Sequence, residues 1–530
     1  MGRAVGGSGG LGAGNNGGMI RAHEAEAIRA AEAPLLAATA TDELMKQAAF
    51  AVATEVMREL RRLGARRSGS TVLLLVGGGN NGGDALYAGG YLARRGLQVV
   101  AALCTDRPHE RALAAARGAG VRVREVLDAG RPRREELAVL ADRAGVWVDG
   151  LTGIGARGGL REPLAGIVTT LKDRRAAMPD EPTVVAVDVP SGIGVDDGTV
   201  PGPVLRADIT VTMGAAKPGL LVRPAEALAG RVVVVDIGLG PHFGEPALRR
   251  LTPADVADLL PAPVATDHKY TRGVLGLVAG STTYPGAAVL AAAGALRTGL
   301  GMVRYLGPDA VVGLVHQRFP EVVVGSGRVQ AWTLGSGIDP ADDARADDVR
   351  DALRRALDDG VPVVVDAGAL ALAPERLAPT TVLTPHAGEL ARLLSARGEE
   401  TDRADVEAAP LELARRAAAL TGAVVLLKGP TTVVAAPGGT VLSQADGTPW
   451  LATAGTGDVL AGVLGALLAV RGEDLAGGQD PDGALTAELA AAAALVHGRA
   501  GARASGGGPV TALEVADAVP GVVAALLADR

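Results

Sequence analysis

The sequence predicts an α/β protein with two unlike domains, the first of them a three-layer domain with a parallel sheet between helices. Short runs of Val, Leu and Ile, such as "TVLLLV" at 71–76 and "TVVAVDV" at 183–189, alternate with stretches of helical periodicity. Because these runs are continuously apolar, they indicate strands that are covered on both faces. Strand–helix alternation is typical of a parallel sheet with helices on either side. The length of 530 residues allows roughly two to four domains.

The boundary between the two domains is predicted at residues 241–262, where the periodicity lapses and proline and glycine gather. The first domain then covers residues 19–240. The second covers residues 263–530, where a new α/β series begins with "VLGLVAG" and continues through "PVVVDAG" and "AVVLLKGP". Residues 1–18, "MGRAVGGSGGLGAGNNGG", are low in complexity and lack the apolar core of a signal peptide, so we predict a disordered leader.

The composition argues against nucleic acid and membranes as partners. A net charge of -7 gives no pull toward phosphate backbones, and an aromatic content of 2% leaves few side chains to stack on bases. The longest apolar run, 459–470, is shorter than the ~18 residues that a membrane span needs. The single cysteine, Cys104, excludes an internal disulfide and fits a reducing cytoplasm, and we expect it to be buried.

Lysine is rare in this chain. Of 52 basic residues only five are lysines: Lys46, Lys172, Lys217, Lys269 and Lys428. A chain that uses arginine almost everywhere can keep lysine where a compact ammonium is needed, although scattered surface lysines would look the same.

The stretch "TVLLLVGGGNNGGDAL", residues 71–86, runs an apolar strand into a glycine-rich turn. Gly77, Gly79 and Gly82 satisfy the fingerprint G-x-G-x-x-G, and Asp106 follows near the place of a ribose-binding acid, so a dehydrogenase is one interpretation. Against it, two asparagines and Asp84 crowd the position that pyrophosphate would take. Asparagine side chains can offer carbonyls to a cation and amide donors to a ribose. Asp84 could instead cap the following helix.

Polar side chains also follow the next two predicted strands. Asp149 lies in "VDGLTGIGARGG", beside a second glycine turn, and Asp188 and Ser191 lie in "AVDVPSGI". Each aspartate alone could be a cap or a turn former. In an open parallel sheet, however, the carboxyl ends of the strands form the edge where ligands bind. Together with Asp84, these residues predict a ligand site at that edge.

The segments "LMKQAA", "GGGNNGGDAL", "VDGLTGIGARGG" and "VDVPSG" together resemble the NAD(P)HX epimerase domain, a Rossmann-like fold, over residues 19–240. That family interconverts the R and S forms of hydrated NAD(P)H, a damaged cofactor with a hydroxyl at C6 of the reduced ring. The resemblance implies that Asp188 is the catalytic acid/base. It implies a potassium ion bound by Asn81, Asp149 and Ser191, an oxygen-rich set that suits a hard cation. The implied contacts to the damaged nucleotide are Asn80, Asn81, Gly82, Gly83, Asp84, Gly153, Ile154, Gly155, Ala156, Arg157, Gly158 and Asp188.

In the second domain, "LATAGTGDVLAGVLGALLAV" leads a glycine turn into an apolar helix. Gly455, Thr456 and Gly457 precede Asp458, which falls in the first helical turn. Free amides and the dipole at a helix N-terminus stabilise anionic oxygens. A carboxylate beside them could take a proton from a hydroxyl that attacks phosphorus. A capping aspartate on a buried helix is the alternative.

Further residues of the second domain support a phosphate site. Lys428 follows a predicted strand and precedes Thr431 and Thr432 in "VLLKGPTTVV". His386 follows another strand in "VLTPHAGEL", with Glu389 near it, although a core histidine would give the same pattern. The histidines show no H-x-x-x-H spacing, and the lone cysteine has no partner, which argues against a zinc site.

From "HKYTRG" at 268 to "TALEVADAVP" ending at 520, the sequence resembles the ADP-dependent NAD(P)HX dehydratases of the ribokinase-like family. The resemblance implies that Asp458 is catalytic and that Mg²⁺ is the phosphate counter-ion. The implied contacts to the hydrated cofactor are Ala287, Gly337, His386 and Asp458. The implied contacts to ADP or AMP are Lys428, Gly429, Pro430, Thr431, Thr432 and Gly457. The family's D-A-D-A-L reads "DAGAL" here, and Gly368 would weaken activity if the missing carboxylate held metal or structure.

The sequence thus predicts a cytoplasmic repair enzyme that epimerises NADHX or NADPHX and dehydrates the S form with ADP, giving NAD(P)H, AMP and phosphate. The alanine-rich helices are compatible with a homo-oligomer. Three alternatives stay open. A dehydrogenase would transfer hydride to a second compound. A ribokinase-like small-molecule kinase, with a non-catalytic nucleotide-binding N-terminal module, would leave a stable phosphorylated product. A first domain that only binds its ligand would not depend on Asp188.

Overall fold

The computed structural model describes residues 18–64, 71–260, 262–528 and 530. The described chain divides into two compact units: an N-terminal unit, Arg21–Ala247, and a C-terminal unit, Leu248–Arg530, to which the short segment ending at Ile20 also belongs. Apart from Gly18, the leader that we predicted to be disordered lies outside the described residues. No helix in the described part of the chain is both long enough and apolar enough to cross a membrane.

The N-terminal unit alternates strands and helices. After β1 (Ile20–Ala22), its strands are β2 (Thr71–Val76), β3 (Gln98–Leu103), β4 (Arg122–Glu125), β5 (Leu127–Asp128), β6 (Arg131–Pro132), β7 (Val146–Gly150), β8 (Thr183–Val187), β9 (Ile209–Met213) and β10 (Arg231–Val235). Its helices are α1 (Ala25–Ala38), α2 (Glu43–Arg62), α3 (Gly79–Arg94), α4 (Glu110–Gly118), α5 (Arg134–Asp142), α6 (Leu164–Ala177) and α7 (Glu226–Ala229), with 3₁₀ turns at Pro218–Leu220 and Gly240–His242.

Within the described residues, seven strands of this unit form a parallel sheet in the order β10-β9-β8-β7-β2-β3-β4. The chain builds outward from β2 to β4 and then returns to the other side of β2 to add β7. The order of connection therefore reverses between β2 and β7, and such a switch point opens a crevice at the carboxyl ends of the strands. Leu75 of β2 is in register with Asp149 of β7, so the predicted site residues begin at this crevice.

The C-terminal unit is also α/β. Its strands are β11 (Leu248–Arg250), β12 (Val274–Val278), β13 (Met302–Leu306), β14 (Val323–Val324), β15 (Ala331–Leu334), β16 (Val363–Val365), β17 (Thr381–Leu383), β18 (Val424–Leu427), β19 (Thr432–Ala435) and β20 (Val441–Gln444). Its helices are α8 (Pro253–Leu259), α9 (Gly286–Thr298), α10 (Asp309–Arg318), α11 (Asp343–Asp358), α12 (Ala387–Ser395), α13 (Arg403–Ala408), α14 (Pro410–Thr421), α15 (Thr456–Val470), α16 (Gly472–Leu475), α17 (Ala484–Ser505) and α18 (Ala512–Ala528), with 3₁₀ turns at Ala367–Leu372, Pro449–Leu451 and Ala476–Gly478.

The strands of this unit follow the order β11-β20-β19-β18-β17-β16-β15-β12-β13-β14. The pairs from β18 to β13 are parallel, whereas β19 is antiparallel to both β18 and β20. Helix α15 is buried along most of its length and packs closely against α9. The apolar run 459–470 is therefore a core helix of this unit.

The structure confirms that both units are α/β and changes several local details. The predicted strand 183–189 ends at Val187 because Asp188 takes a left-handed backbone conformation, with φ of 67°. Asp84 lies inside α3, whose N-cap is Gly78, so the interpretation of Asp84 as a cap is wrong. Part of the stretch that we expected to be a linker is folded, since it contains β11 and α8. Cys104 is buried, and burial raises the pKa of its thiol to about 12.

Candidate active sites

The first candidate site lies at the crevice of the N-terminal unit, where glycines let the chain segments approach closely. A Cβ on Gly77 would lie 1.8 Å from the carbonyl oxygen of Leu151, and one on Gly82 would lie 2.1 Å from the carbonyl oxygen of Gly77. Larger residues would therefore push the turn after β2 away from α3 and from the end of β7. The glycine fingerprint serves here to bring these three elements together.

The polar stretch Asn80–Asp84 forms the first turns of α3 rather than a loop. Asn80 is exposed, whereas Asn81, Gly82 and Gly83 are buried. The second predicted stretch, Gly153–Gly158, is an irregular turn after β7, in which Gly155, Arg157 and Gly158 are exposed and the other three residues are partly buried. The sequence therefore brings a helix N-terminus and a partly open turn to the same sheet edge.

Three predicted cation ligands meet around the backbone of Thr152. The Asn81 side chain donates from Nδ2 to the Thr152 carbonyl oxygen at 2.9 Å, and the Thr152 amide donates to Oγ of Ser191, also at 2.9 Å. The Ser191 hydroxyl donates to Oδ1 of Asp149 at 2.7 Å, and its backbone amide donates to Oδ2 at 2.9 Å. The structure thus brings Asn81, Asp149 and Ser191 together at the ends of three neighbouring elements.

Asp149 is a fully buried carboxyl group. Burial raises its pKa, while hydrogen bonds from Ser191 and the Leu151 amide act in the opposite direction. Among the described residues, no lysine or arginine forms an ion pair with it. A buried carboxylate surrounded by hydroxyl, amide and carbonyl oxygens is a donor set that fits a hard monovalent cation.

Asp188 lies just beyond β8, with its carboxylate directed by a set of donors from the next strand and the segment after it. Its Oδ1 accepts hydrogen bonds from the Lys217 ammonium at 2.5 Å, the Thr212 hydroxyl at 3.2 Å and the Met213 amide at 3.3 Å. Lys217 is fully buried. Reasoning from the sequence did not assign Lys217 to the site, although the rarity of lysine was the signal that could have found it.

Two further carboxyl groups lie near Asp188. Oδ1 of Asp84 is shielded from solvent and has no hydrogen-bond partner among the described residues. Burial raises the pKa of Asp84 well above its usual value, and the negative charges of Asp188 and Glu32 raise it further. Burial and Asp188 also raise the pKa of Glu32. The pocket therefore brings three carboxyl groups together, and burial disfavours the ionised form of Asp84 and of Glu32.

The second candidate site lies at the N-terminus of α15. Gly455 is the N-cap in a left-handed conformation, with φ of 90°, and Asp458 occupies the first turn, as predicted. Burial raises the pKa of Asp458 to about 7, and the charge of Asp366 adds to this rise. Lys428 and a hydrogen bond from Ser336 act in the opposite direction. An aspartate with a pKa near neutrality is suited to proton transfer.

Lys428 follows β18 and brings its ammonium to this helix N-terminus. A Cβ built on Gly457 would lie 3.7 Å from Nζ of Lys428. The ammonium forms an ion pair with Oδ1 of Asp366 at 2.9 Å and lies 3.7 Å from Oε2 of Glu389. Burial alone would lower the pKa of Lys428, but these two carboxylates outweigh burial and raise it. Lys428 is therefore a positive charge beside the free amides of α15.

Asp366 is the first residue of the "DAGAL" motif, and no role was assigned to it from the sequence. In the structure it is buried at the centre of this second site. It accepts hydrogen bonds from Ser336 at 2.8 Å and from Thr384 at 2.7 Å, besides the bond from Lys428. Burial alone would raise its pKa, but Lys428 and the two hydroxyls lower it below its usual value. Asp366 therefore stays ionised and holds the lysine in place.

Gly368 stands where the family's D-A-D-A-L motif has its second aspartate, and it is packed against a neighbouring turn. A Cβ on Gly368 would lie 1.9 Å from the carbonyl oxygen of Ile338. An aspartate could not occupy this position without moving the backbone. The turn after β15 therefore approaches more closely here than a D-A-D-A-L sequence would allow.

His386 is the N-cap of α12 rather than a core histidine. Its Nδ1 accepts from the amides of Gly388 at 3.1 Å and Glu389 at 3.3 Å, and the Glu389 side chain accepts from the His386 amide at 2.8 Å. Its side chain is half exposed. Burial of the rest of the ring lowers its pKa, although Glu389 acts in the opposite direction. The second ring nitrogen, Nε2, lies 3.6 Å from Oε1 of Glu389, and the exposed half of the ring can contact a ligand.

The other predicted contacts fall in two groups. Ala287 and Gly337 touch each other, since a Cβ on Gly337 would lie 2.4 Å from the Ala287 Cβ. The residues Gly429 and Pro430 form an exposed turn between β18 and β19, followed by the buried Thr431 and the partly buried Thr432. Ala287 lies in the first turn of α9 and Gly337 in the turn after β15, whereas the second group runs from the turn after β18 to the first residue of β19.

Comparison with known proteins identifies relatives for both units. The family model described as NAD(P)H-hydrate dehydratase matches residues 275–519, and the model described as YjeF-related protein N-terminus matches residues 41–219. The bifunctional NAD(P)H-hydrate repair enzyme Nnr of Mycobacterium tuberculosis is 42% identical over 451 residues, which cover 82% of this chain and 86% of the relative. The enzyme of the same name from Mycobacterium leprae is 40% identical over 504 residues, which cover 92% and 93% respectively.

A solved structure is also similar to the C-terminal unit. It is the ADP/ATP-dependent NAD(P)H-hydrate dehydratase from Bacillus subtilis, co-crystallised with ATP and Mg²⁺, and it is 28% identical with a TM-score of 0.45. The match covers 52% of this chain and 97% of that chain.

Proposed function

The chain belongs to the family of bifunctional NAD(P)H-hydrate repair enzymes, and on this basis we propose which residues carry its two reactions. The enzyme interconverts the R and S forms of hydrated NAD(P)H and dehydrates the S form. A single observation carries the assignment of the second reaction. Asp458, whose pKa is raised to about 7, lies beside the Lys428 ammonium at the N-terminus of α15.

In the C-terminal unit, the free amides around Gly457 and the ammonium of Lys428 hold the phosphates of ADP. Both features favour anionic oxygens, and they lie on neighbouring elements. The turn Lys428–Thr432 extends this surface toward the rest of the nucleotide. Ala287 in the first turn of α9, Gly337 after β15 and His386 at the start of α12 would contact the hydrated cofactor. The hydroxyl at C6 is thereby brought toward Asp458.

The dehydration then proceeds in two steps. Asp458 takes the proton of the C6 hydroxyl, whose oxygen attacks the terminal phosphorus of ADP, so that AMP leaves and a C6 phosphate ester forms. The ester then loses phosphate together with the proton at C5, which restores the C5–C6 double bond of NAD(P)H. Phosphate is a far better leaving group than hydroxide.

Magnesium would supply charge neutralisation to the nucleotide phosphates. Mg²⁺ at such sites is commonly held by one or two carboxylates and by the substrate phosphates. Asp458 is needed as the base, and Asp366 is already engaged by Lys428, Ser336 and Thr384. The residues present therefore fit an ion that is held mainly by ADP.

In the N-terminal unit, Asp188 acts as the acid/base near C6 of the hydrated ring. Asn80–Asp84 and Gly153–Gly158 would bind the nucleotide at the crevice between β2 and β7. Asn81, Asp149 and Ser191 would hold K⁺, which would balance the buried charge of Asp149. The convergence of these three side chains at Thr152 supports this assignment.

The test uses the full chain, a mixture of R and S hydrates and ADP, with the return of reduced-nicotinamide absorbance as the measurement. We expect complete recovery by the natural sequence, no recovery by Asp458→Asn, and recovery of about half the substrate by Asp188→Asn, apart from slow spontaneous epimerisation. Recovery with ATP alone would change the assigned donor. A stable phosphorylated hydrate without NAD(P)H would support the kinase alternative instead.

A further inference from the structure

We infer that Lys217 is a positioning residue of the epimerase reaction, which fixes one oxygen of Asp188 so that only the other oxygen is left for the substrate. This inference rests on the proposed role of Asp188. Lys217 itself would neither donate nor accept the transferred proton. Its part is to hold the carboxylate that does.

The Lys217 ammonium has a complete set of acceptors. Its Nζ donates to Oδ1 of Asp188 at 2.5 Å, to the Thr212 hydroxyl at 2.7 Å and to the Met213 carbonyl oxygen at 3.0 Å. An ammonium has three protons, so all of them are used. The side chain is only 1% exposed, and neither water nor substrate has a free N–H to approach.

The two oxygens of Asp188 are held very differently. Oδ1 accepts from Lys217 and also from the Thr212 hydroxyl and the Met213 amide. Oδ2 accepts no hydrogen bond from any residue in the described part of the chain. The left-handed backbone of Asp188 turns the chain away from β8 at this point. The carboxylate is thus fixed through one oxygen and has one oxygen available for chemistry.

A buried ammonium needs a reason, because burying a charge is costly even when it is paired. The three acceptors converge on a single point, which a compact ammonium satisfies and the planar fork of an arginine does not. Arginine is nevertheless the basic residue that this chain uses at almost every other position. The choice of lysine at 217 therefore follows from the geometry around Oδ1 of Asp188.

The first test is Lys217→Ala in the full chain, with R–S interconversion followed by chromatography in the absence of ADP. We expect kcat of epimerisation to fall at least 100-fold while KM changes less than threefold. Added ethylammonium should raise the epimerisation rate of Lys217→Ala at least tenfold, because it supplies the missing charge and N–H donors. Tetramethylammonium, which has no N–H, should not raise this rate. Dehydration of S hydrate with ADP, measured on the same preparation, should be unchanged.

A matched pair of variants covers the case in which Lys217→Ala fails to fold. Thr212 and Thr210 both lie on β9, both are fully buried, and Thr210 donates to the Ala229 carbonyl oxygen at 2.6 Å, away from Asp188. Thr212→Val should lower epimerase kcat about tenfold, whereas Thr210→Val should leave it within twofold.

Equal effects of the two threonine variants, or full epimerase activity in Lys217→Ala, would overturn the inference. If Asp188→Asn also retained epimerisation, the proposed role of Asp188 would be wrong as well. Loss in Asp188→Asn with full activity in both Lys217→Ala and Thr212→Val would remove only the role of Lys217.

Discussion

The two aspartates to which we assign the reactions, Asp188 and Asp458, are held very differently by their neighbours. Asp188 is anchored through Oδ1 by a buried lysine and by donors from β9. Asp458 accepts a hydrogen bond from Ser336 and lies among opposing charges, Asp366 on one side and Lys428 on the other. In the proposed mechanism, the same residue type therefore serves a reversible epimerisation in one unit and deprotonation of a hydroxyl in the other.

The raised pKa of Asp458 predicts the pH dependence of the dehydratase. A general base must be ionised, and with a pKa of about 7 this carboxyl is mostly protonated at pH 6. The dehydratase kcat/KM should therefore rise about fivefold between pH 6 and pH 7, and level off above pH 8 at about ten times its value at pH 6. The measurement is a pH–rate profile on the S hydrate with saturating ADP.

Asp366→Asn is the variant that identifies the titrating group. It removes the negative charge of Asp366, which adds to the rise in the pKa of Asp458, and it keeps Lys428, which lowers that pKa. The acidic limb of the profile should then move to lower pH, together with a lower maximal rate. A limb that stays in place in this variant would show that a group other than Asp458 controls the profile.

The position of the second site depends on how helices α15 and α9 pack, and glycines on both helices allow a close contact. A Cβ on Gly462 of α15 would lie 2.1 Å from the Ala291 carbonyl oxygen, and one on Gly294 of α9 would lie 2.3 Å from the Val459 carbonyl oxygen. The two backbones are therefore in direct contact. This contact fixes the N-terminus of α15, and with it Asp458, relative to the loop that precedes α9.

Gly462→Ala should destabilise the protein and disturb the dehydratase. Forcing a methyl into a closely packed contact costs about 1–3 kcal/mol. The matched control is Gly313→Ala on α10, where the position is exposed and the new Cβ meets no atom within 4 Å. That control should gain about 1 kcal/mol from better helix propensity. Denaturant unfolding measures both changes, and equal stability of the two variants would contradict the packing argument.

The sequence predicts the buried elements well and the exposed or polar ones poorly. Strand β2 is predicted at its observed bounds because its residues form a continuous apolar run that is buried from Val72 to Val76. Strand β4, "RVRE", lies at the sheet edge with charged side chains, and its pattern gives no strand signal. The folded part of 241–262 was missed because its proline-rich composition is typical of a linker.

In both candidate sites, residues within local motifs could be predicted from the sequence, whereas partners that are distant along the chain could not be paired with them. Asp458, Lys428 and Asp188 stand in local motifs that follow strands or begin helices, so their positions could be predicted. Lys217 stands in no such motif: it is 29 residues from Asp188 along the chain and meets it through the pairing of β8 with β9, so only the rarity of lysine marks it in the sequence. Asp366 and Lys428 are likewise 62 residues apart and meet at the carboxyl ends of their strands.

In the whole molecule, each site is built from residues of one unit. The residues around Asp188 all lie within Arg21–Ala247, and those around Asp458 all lie within Leu248–Arg530. Each reaction should therefore survive the loss of the other, and the hydrate can pass between the sites through solution.

Complementation between two single variants tests this independence. Asp188→Asn alone should convert only the S hydrate promptly, and Asp458→Asn alone should interconvert the isomers without forming NAD(P)H. An equimolar mixture of the two proteins with ADP should convert all of a mixed hydrate, because the first supplies dehydratase and the second supplies epimerase. Reduced-nicotinamide absorbance records the yield, and chromatography records the R form that remains. If the mixture stopped near half conversion while Asp458→Asn still interconverted the isomers on its own, transfer would require both active sites in one chain, and independence of the two units would be wrong.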